Sequence, residues 1–321
     1  MKMRVNYFWI SLPLMLLVAG SLLAAPKTKA QMDVTECDTY VTEPGKYKVV
    51  NDLACEPGEM AIQILASDVK LNLGGHTISC ETPERSGVIV GDRLIPEIFS
   101  NVHIRNGTVT GCGVGVLLWF TDGARVTKMS LNDNAESGVT LIEAENNVIR
   151  NNSFVGGFWA ISSYEGIGNS FGHNKIRYST LGIDLIGEND SRITCNAVDQ
   201  GYYSLSLEPL GATASTGNVV RGNRVTDNFL GIGMFGYGTP EDGVFQPMSA
   251  DNLIHRNIAT GNWLDMVEAI YNPDTDGLFV PPGAECQNMW KHNQFDTELG
   301  PPDCIGTPVE IKKVCAPEFD D

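Results

Sequence analysis

Two absences set the first limits on this sequence. Long amphipathic runs of helical period are few, while Gly occurs 34 times among many Asn and Asp residues, a composition of short strands and turns rather than of a helix bundle. Positive charge is scarce: 22 Lys and Arg stand against 39 Asp and Glu, a formal net charge of −17. A nucleic-acid phosphate backbone needs a basic face, so nucleic-acid binding is not expected. A polyanionic sugar would be repelled on average, unless a local basic row or a bound cation offsets the field.

The first 30 residues read as an export signal. Lys2 and Arg4 give a positive start, YFWISLPLMLLVAGSLLAA over 7–25 is almost wholly apolar, and small residues at Ala24-Ala25 and Ala30 offer cleavage sites. Cleavage is the expectation, because Pro13 and Gly20 weaken a spanning helix; an uncleaved anchor is the alternative. Eight cysteines then suit an oxidising compartment outside the cytoplasm: periplasm, cell surface or medium. The similar phrases GGHTISC and NGTVTGC suggest Cys80–Cys112, and pairs Cys37–Cys55 and Cys286–Cys304 would staple the two ends of a repeat array. Cys195 and Cys315 have no evident partner.

The array itself announces its period. NNVIRNN, GNSFGHN, GNVVRGN and DNLIHRN align a column at Asn152, Asn174, Asn196, Asn223, Asn257 and Asn293, with steps of 22, 22, 27, 34 and 36 residues. A second polar column, Asn147, Asn169, Ser191, Asn218, Asn252 and Asn288, keeps the same steps. Apolar columns run in register: Ile149, Phe171, Ile193, Val220, Ile254, Trp290, and, on a later strand, Val139, Ile161, Ile183, Leu205, Ile232. A unit of about 22 residues without a helix cannot bury its apolar face alone, so units must stack as parallel coils about 4.8 Å apart. Stacked Asn side chains at the corners can then bond to one another and to the backbone. The expectation is an all-β, single-stranded parallel β-helix of some nine coils. Residues 31–66 would form an N-terminal cap, 67–300 the β-helix and 301–321 a C-terminal tail. The longer steps place inserted loops at about 236–250 and 269–285, where function often collects.

ASDVKLNLGGHTISC and SNVHIRNGTVTGCGVGV, followed by the GN and DN repeats, resemble the right-handed parallel β-helix repeat family of the pectate-lyase-like superfamily. CQNMWKHNQFDT…DC is similar to the ending of many exported bacterial members. The resemblance implies a right-handed helix and a choice among polysaccharide lyases, hydrolases, epimerases, tailspikes and non-enzymatic maturation or adhesion proteins. Fold does not choose among them. The polygalacturonase phrases NTD, HG and RIK are absent, DD occurs only at the C-terminus, and neither DPHD nor a WIDH-like phrase is present.

Candidate sites follow from the register. The outward rows of the second strand read Leu117, Thr140, Ser162, Asp184, Ser206, Gly233 and Trp119, Ile142, Tyr164, Ile186, Glu208, Phe235. Small polar residues beside large apolar ones suit a glycan chain, with Trp119, Tyr164 and Phe235 as stacking surfaces and Asp184 and Glu208 as the carboxylates; the alternative is a stripe buried under loops. Arg150 and Arg221, in a column with His255 and Lys291, could contact uronate carboxylates, or be solvated charge. Asn272, Asp274 and Asp276 before Gly277 follow the oxygen-ligand spacing of a calcium loop without its closing Glu; a surface turn is the alternative. The five histidines show no metal-ligand spacing, which argues against copper. The reading is an exported β-helix that binds or processes a polysaccharide or cell-surface glycan, with calcium as the candidate cofactor; the alternative is a non-enzymatic β-helix for adhesion or assembly.

Overall fold

The computed structural model describes residues 31–238, 248–272, 274–275, 277–281 and 283–319. The signal segment and Asp276 lie outside the described residues. Two long parallel sheets run the length of the rod and contain no helix. Each regular coil gives two short strands to the first sheet and one longer strand to the second. In one coil these are Val148–Arg150, Ser153–Val155 and Trp159–Tyr164; in the next, Ser170–Gly172, Lys175–Arg177 and Leu181–Ile186. The register is the one the columns require: Ile149 pairs with Phe171, Phe171 with Ile193, and Ile193 with Val220. Val139, Ile161, Ile183, Leu205 and Ile232 stack in the second sheet and are at most 1 % exposed. The protein is a parallel β-helix whose core is the continuous interior of the coils.

The Asn columns form the expected ladders. Asn196 shows the full pattern: its backbone N–H donates to Asn223 Oδ1 at 2.8 Å, and its amide donates to Phe171 O and Asn223 Oδ1, each at 3.0 Å. Its own Oδ1 accepts from the backbone and the amide of Asn174, each at 3.0 Å. Buried polar groups are tolerated only when paired, and the stack supplies every partner. A third, shorter ladder runs from Asn228 to Asn262 and ends on the Asp265 carboxylate.

The corner before each Asn of the column Asn152 to Asn293 is left-handed. Asn151, His173, Cys195, Gly222, Arg256 and His292 all have φ between 51° and 66°. Left-handed angles favour Gly and Asn, yet His, Cys and Arg also adopt them here, because the ladder bonds over-determine the backbone.

The segment expected to cap the rod is itself coiled. Met32–Val34 pairs in parallel with Gly45–Val49, and Thr39–Val41 with Ile62–Ile64, so the ladder begins inside residues 31–66. Disulfides join Cys37–Cys55, Cys80–Cys112 and Cys286–Cys304, with Cα atoms 5.7, 4.8 and 5.2 Å apart. The fourth, Cys195–Cys315, was not foreseen. Cys195 occupies a left-handed corner and faces out, where it holds the C-terminal tail against the rod; nothing in the local spacing marks a partner 120 residues away.

Candidate functional site

The second sheet has the outward rows that the register implies. Ser162 pairs with Asp184 and Asp184 with Ser206; Tyr164 pairs with Ile186 and Ile186 with Glu208. Thr140, Ser162, Asp184 and Ser206 are buried, although they lie outside the core, because large neighbours roof the small ones. Beyond Ser206 the roof opens into a cavity of about 440 Å³. Asp184 and Glu208 line it, walled by Trp159, Tyr203, Phe235, Tyr237 and Tyr271. Leu278 closes one side. It is carried by Gly277–Phe279, which folds back antiparallel on Leu264–Asn272, so the second inserted loop does shape the site.

Both carboxylates are held by named donors. Ser206 Oγ donates to Asp184 Oδ1 at 2.6 Å, and Trp159 Nε1 donates to Oδ2 at 3.1 Å. The Tyr237 phenol donates to Glu208 Oε2. Burial pushes the Asp184 carboxyl up to about 6, against the pull of its two donors. Burial, and then the neighbouring Asp184 charge, push Glu208 well above the usual carboxylate range. Tyr164 feels the same field: burial first, then Asp184, Glu136 and Glu208, raise its phenol to about 12.

The expected residues therefore separate. Asp184, Glu208 and Phe235 meet in the cavity. Tyr164 stands beside it within the field of both acids. Trp119 lies further down the same row, beyond Ile142 and Tyr164, and stacks instead on Phe120 at 6.4 Å. Arg150 and Arg221 share a column of the first sheet, Arg150–Gly172–Thr194–Arg221, and do not reach the cavity. Pairing register fixes their face, and no loop carries them round. Of the calcium set, Asn272 Oδ1 accepts the Asp274 backbone N–H at 2.9 Å, an arrangement of a tight turn.

Two features escaped the sequence reading. Tyr202, Phe229 and Trp263 stack in an exposed file, with centroids 4.6 and 4.7 Å apart and planes within 7°. Tyr202 stacks in turn on Tyr203 of the cavity wall. The signal was present: GFW, GYY, NFL and NWL each put an aromatic ring just before the second-sheet strand. The second is Glu188, wholly buried inside the solenoid. Its carboxylate accepts from Ser163 Oγ at 2.6 Å, Ser191 Oγ at 2.5 Å and the Asn169 amide at 2.7 Å. Ser163 interrupts an apolar column and Ser191 interrupts an Asn ladder, and one carboxylate accounts for both exceptions.

Residues 81–270 match the family described as "Periplasmic copper-binding protein (NosD)", and the chain belongs to that family. No curated protein matches significantly. Among solved structures, the chain is similar to a mutant tailspike protein of E. coli bacteriophage HK620 in complex with a pentasaccharide. The identity is 13 % and the TM-score 0.55, over 83 % of this chain and 58 % of that one. A second mutant of the same tailspike, in complex with a hexasaccharide, gives 12 % and 0.56 over 83 % and 57 %. A periplasmic alginate epimerase gives 15 % and 0.45 over 85 % and 73 %. The chain spans less than two thirds of the tailspikes' length, and at these identities the likeness shows the fold.

The family description raises a copper site, the class that the scattered histidines argued against. Among the described residues no group of three or more His, Cys, Asp or Glu side chains is placed to hold a metal. All eight cysteines are in disulfides. Stacking does bring His255 and His292 together, with ring centroids 5.6 Å apart, which sequence spacing hid. Arg221, Arg256 and Lys291 crowd that pair with positive charge, which disfavours a cation between the two rings.

Proposed function

We propose that the protein is an exported glycan-active β-helix, and that the cavity at Asp184 and Glu208 cleaves a glycosidic bond by general acid–base catalysis. The observation that carries this reading is a pair of carboxylates, Asp184 buried and Glu208 half-buried, both with raised proton affinity, meeting in a cavity with aromatic walls. Their environments differ in the way that assigns roles. Burial and the neighbouring Asp184 charge push the Glu208 carboxyl up, which favours its protonated form, and it is assigned as the acid: it protonates the glycosidic oxygen as the bond from that oxygen to the anomeric carbon breaks. Asp184, near 6 and held by Ser206 and Trp159, ionises first. As base it takes a proton from the water that attacks the anomeric carbon. One coil spacing of ~4.8 Å and two residue rises of ~6.6 Å set their Cα atoms about 8 Å apart. Inverting glycosidases separate their carboxyl groups by roughly 6.5–9.5 Å.

Tyr203, Phe235 and Tyr271 offer apolar surface for sugar C–H groups. The oligosaccharide complexes of the similarly folded tailspike support a glycan as ligand. The family description and four disulfides support a periplasmic setting. The exposed Tyr202–Phe229–Trp263 file favours one other reading, a glycan-binding protein without turnover. A glycan-array and hydrolysis screen, run with and without calcium, separates the two. Reducing-end release that disappears in Asp184→Asn and Glu208→Gln supports the enzyme. Binding with no release in any glycan refutes it and leaves the binding protein.

A further inference from the structure

On the first sheet, away from the carboxylate cavity, the C-terminal tail returns along the rod and builds a second pocket. The Val309 N–H donates to Asn293 O, and the Ile311 N–H to Gln294 Oε1, each at 2.9 Å. Further on, Cys315 is bonded to Cys195, and Val314 and Ala316 pack on buried Ala197. The strap crosses at Gly222, where a Cβ would stand 2.8 Å from Cys315 Sγ; a side chain at this corner would displace the strap. Between its two anchorages the tail carries Lys312 and Lys313 over His255, Arg256 and His292. The open cleft between them has a volume of about 620 Å³.

In a chain of net charge −17 this pocket is a concentration of the opposite sign. Arg256, Lys312 and Lys313 line it, and Arg221 and Lys291 flank His255 on the neighbouring coils. Glu310 is the one acid of the lining. Among the described residues none of these five cations is in an ion pair. Burial, then Arg221, His292, Arg256 and Lys291, hold the His255 imidazolium below its ordinary range, as expected where positive charges crowd without a counter-ion.

We propose that this strapped pocket docks an acidic glycan segment, whose carboxylates are taken by Arg256, Lys312 and Lys313 and by the Arg221–His255–Lys291 row. The identity of the ligand as a glycan rests on the function proposed above; the pocket rests on its own residues. A small anion would be held by donors converging on one point. Here the cations Arg221, Arg256 and Lys291 lie on three successive coils, spaced about 4.8 Å along the rod, which suits charge repeated along an extended chain. Charge-assisted contacts of Arg and Lys with carboxylates provide the recognition. Distinct faces for docking and for cleavage would let the protein hold a polymer while working on another stretch or branch of it.

The test titrates the full mature chain with a hexauronate, with the same oligosaccharide after reduction of its carboxyl groups, with inorganic phosphate, and with a single-stranded oligonucleotide of equal charge. The hexauronate is expected to bind at least tenfold more tightly than its neutral counterpart, and to weaken as salt rises. Lys312→Glu with Lys313→Glu should lower its affinity at least tenfold. Both side chains are exposed, and an unchanged urea melt confirms the fold. Cys195→Ser with Cys315→Ser, which frees the strap, should lower it several-fold. Equal binding of the neutral sugar, or unchanged affinity in the double Glu variant, overturns the proposal. Full displacement by phosphate reassigns the pocket to a small anion, and tighter binding of the oligonucleotide reassigns it to nucleic acid; either result overturns it too. Cleavage of a neutral glycan without this acidic preference overturns this inference alone. Failure to bind any glycan overturns both readings.

Discussion

Glu188 and the Asp184–Glu208 pair are carboxylates withdrawn from solvent on opposite sides of one wall: Glu188 is buried inside the solenoid, and outside it Asp184 is buried and Glu208 half-buried. Glu188 spends its oxygens on Ser163, Ser191 and Asn169, with the Gly166 backbone N–H as a further donor. Every partner is a neutral donor fixed by the ladder, and those bonds offset part of the rise that burial causes. Asp184 has two donors, and Glu208 has one phenol and the repulsion of Asp184. The pair faces a cavity rather than packed atoms. Burial alone therefore does not mark a reactive carboxylate. What marks it is burial with too few fixed donors and open space in front.

The sharpest way to break this comparison is to remove each carboxylate in turn. Glu188→Ala removes three hydrogen bonds to a carboxylate and leaves the Ser163 hydroxyl unpaired, while Ser191 and Asn169 keep the Asn189 and Ala144 carbonyls; with each such bond worth about 1.5–3 kcal/mol, less the relieved cost of burying the carboxylate, a loss of roughly 3–5 kcal/mol is expected in urea unfolding. Asp184→Asn should instead stabilise the protein at high pH. The sign follows from linkage: a carboxyl raised from 3.8 to about 6 on folding favours the fold while protonated, and that stability is lost as pH rises through about 6. The full difference is about 3 kcal/mol. Between pH 4 and 8 the stability of the unmodified protein should fall, and the Asp184→Asn variant should show a shallower fall. A profile unchanged by the substitution would place the titration elsewhere.

Two smaller effects sharpen the account. Asn196→Leu removes the rung that serves Asn174, Phe171 and Asn223, and should cost about 1–3 kcal/mol by thermal or urea unfolding. Trp119→Ala should leave glycan affinity within about twofold, because Trp119 stacks on Phe120 well down the row. Tyr203→Ala, on the cavity wall, should weaken binding about tenfold or more, as the loss of ~1.4 kcal/mol of contact would.

Most of the fold was legible because the repeat writes it twice. The Asn columns and the apolar columns demand one register, and the coils have it. The outward rows carried Asp184, Glu208 and Phe235 to one place for the same reason. What the sequence hid depends on the third dimension. Arg150 and Arg221 form an outward column apart from the carboxylates, and only the pairing shows that this column stays on the first sheet with no loop bringing a substrate round to it. The Cys195–Cys315 link and the His255–His292 neighbours join residues that only stacking or a returning tail brings together. Ser163, between Leu141 and Leu185, and Ser191, in a column otherwise of Asn, become intelligible once Glu188 turns inward. The Tyr202–Phe229–Trp263 file could have been found, since each ring holds the same place in its coil.

The central claim is that Asp184 and Glu208 are a catalytic acid–base pair and not a second structural carboxylate cluster. The measurement that tests it most directly is turnover and affinity, together, for Asp184→Asn and Glu208→Gln on a glycan that the unmodified protein cleaves. Loss of kcat by about 10²–10⁴-fold in each variant, with affinity retained, is the predicted result. Unchanged kcat in both would contradict it and leave the cavity as a binding site without chemistry.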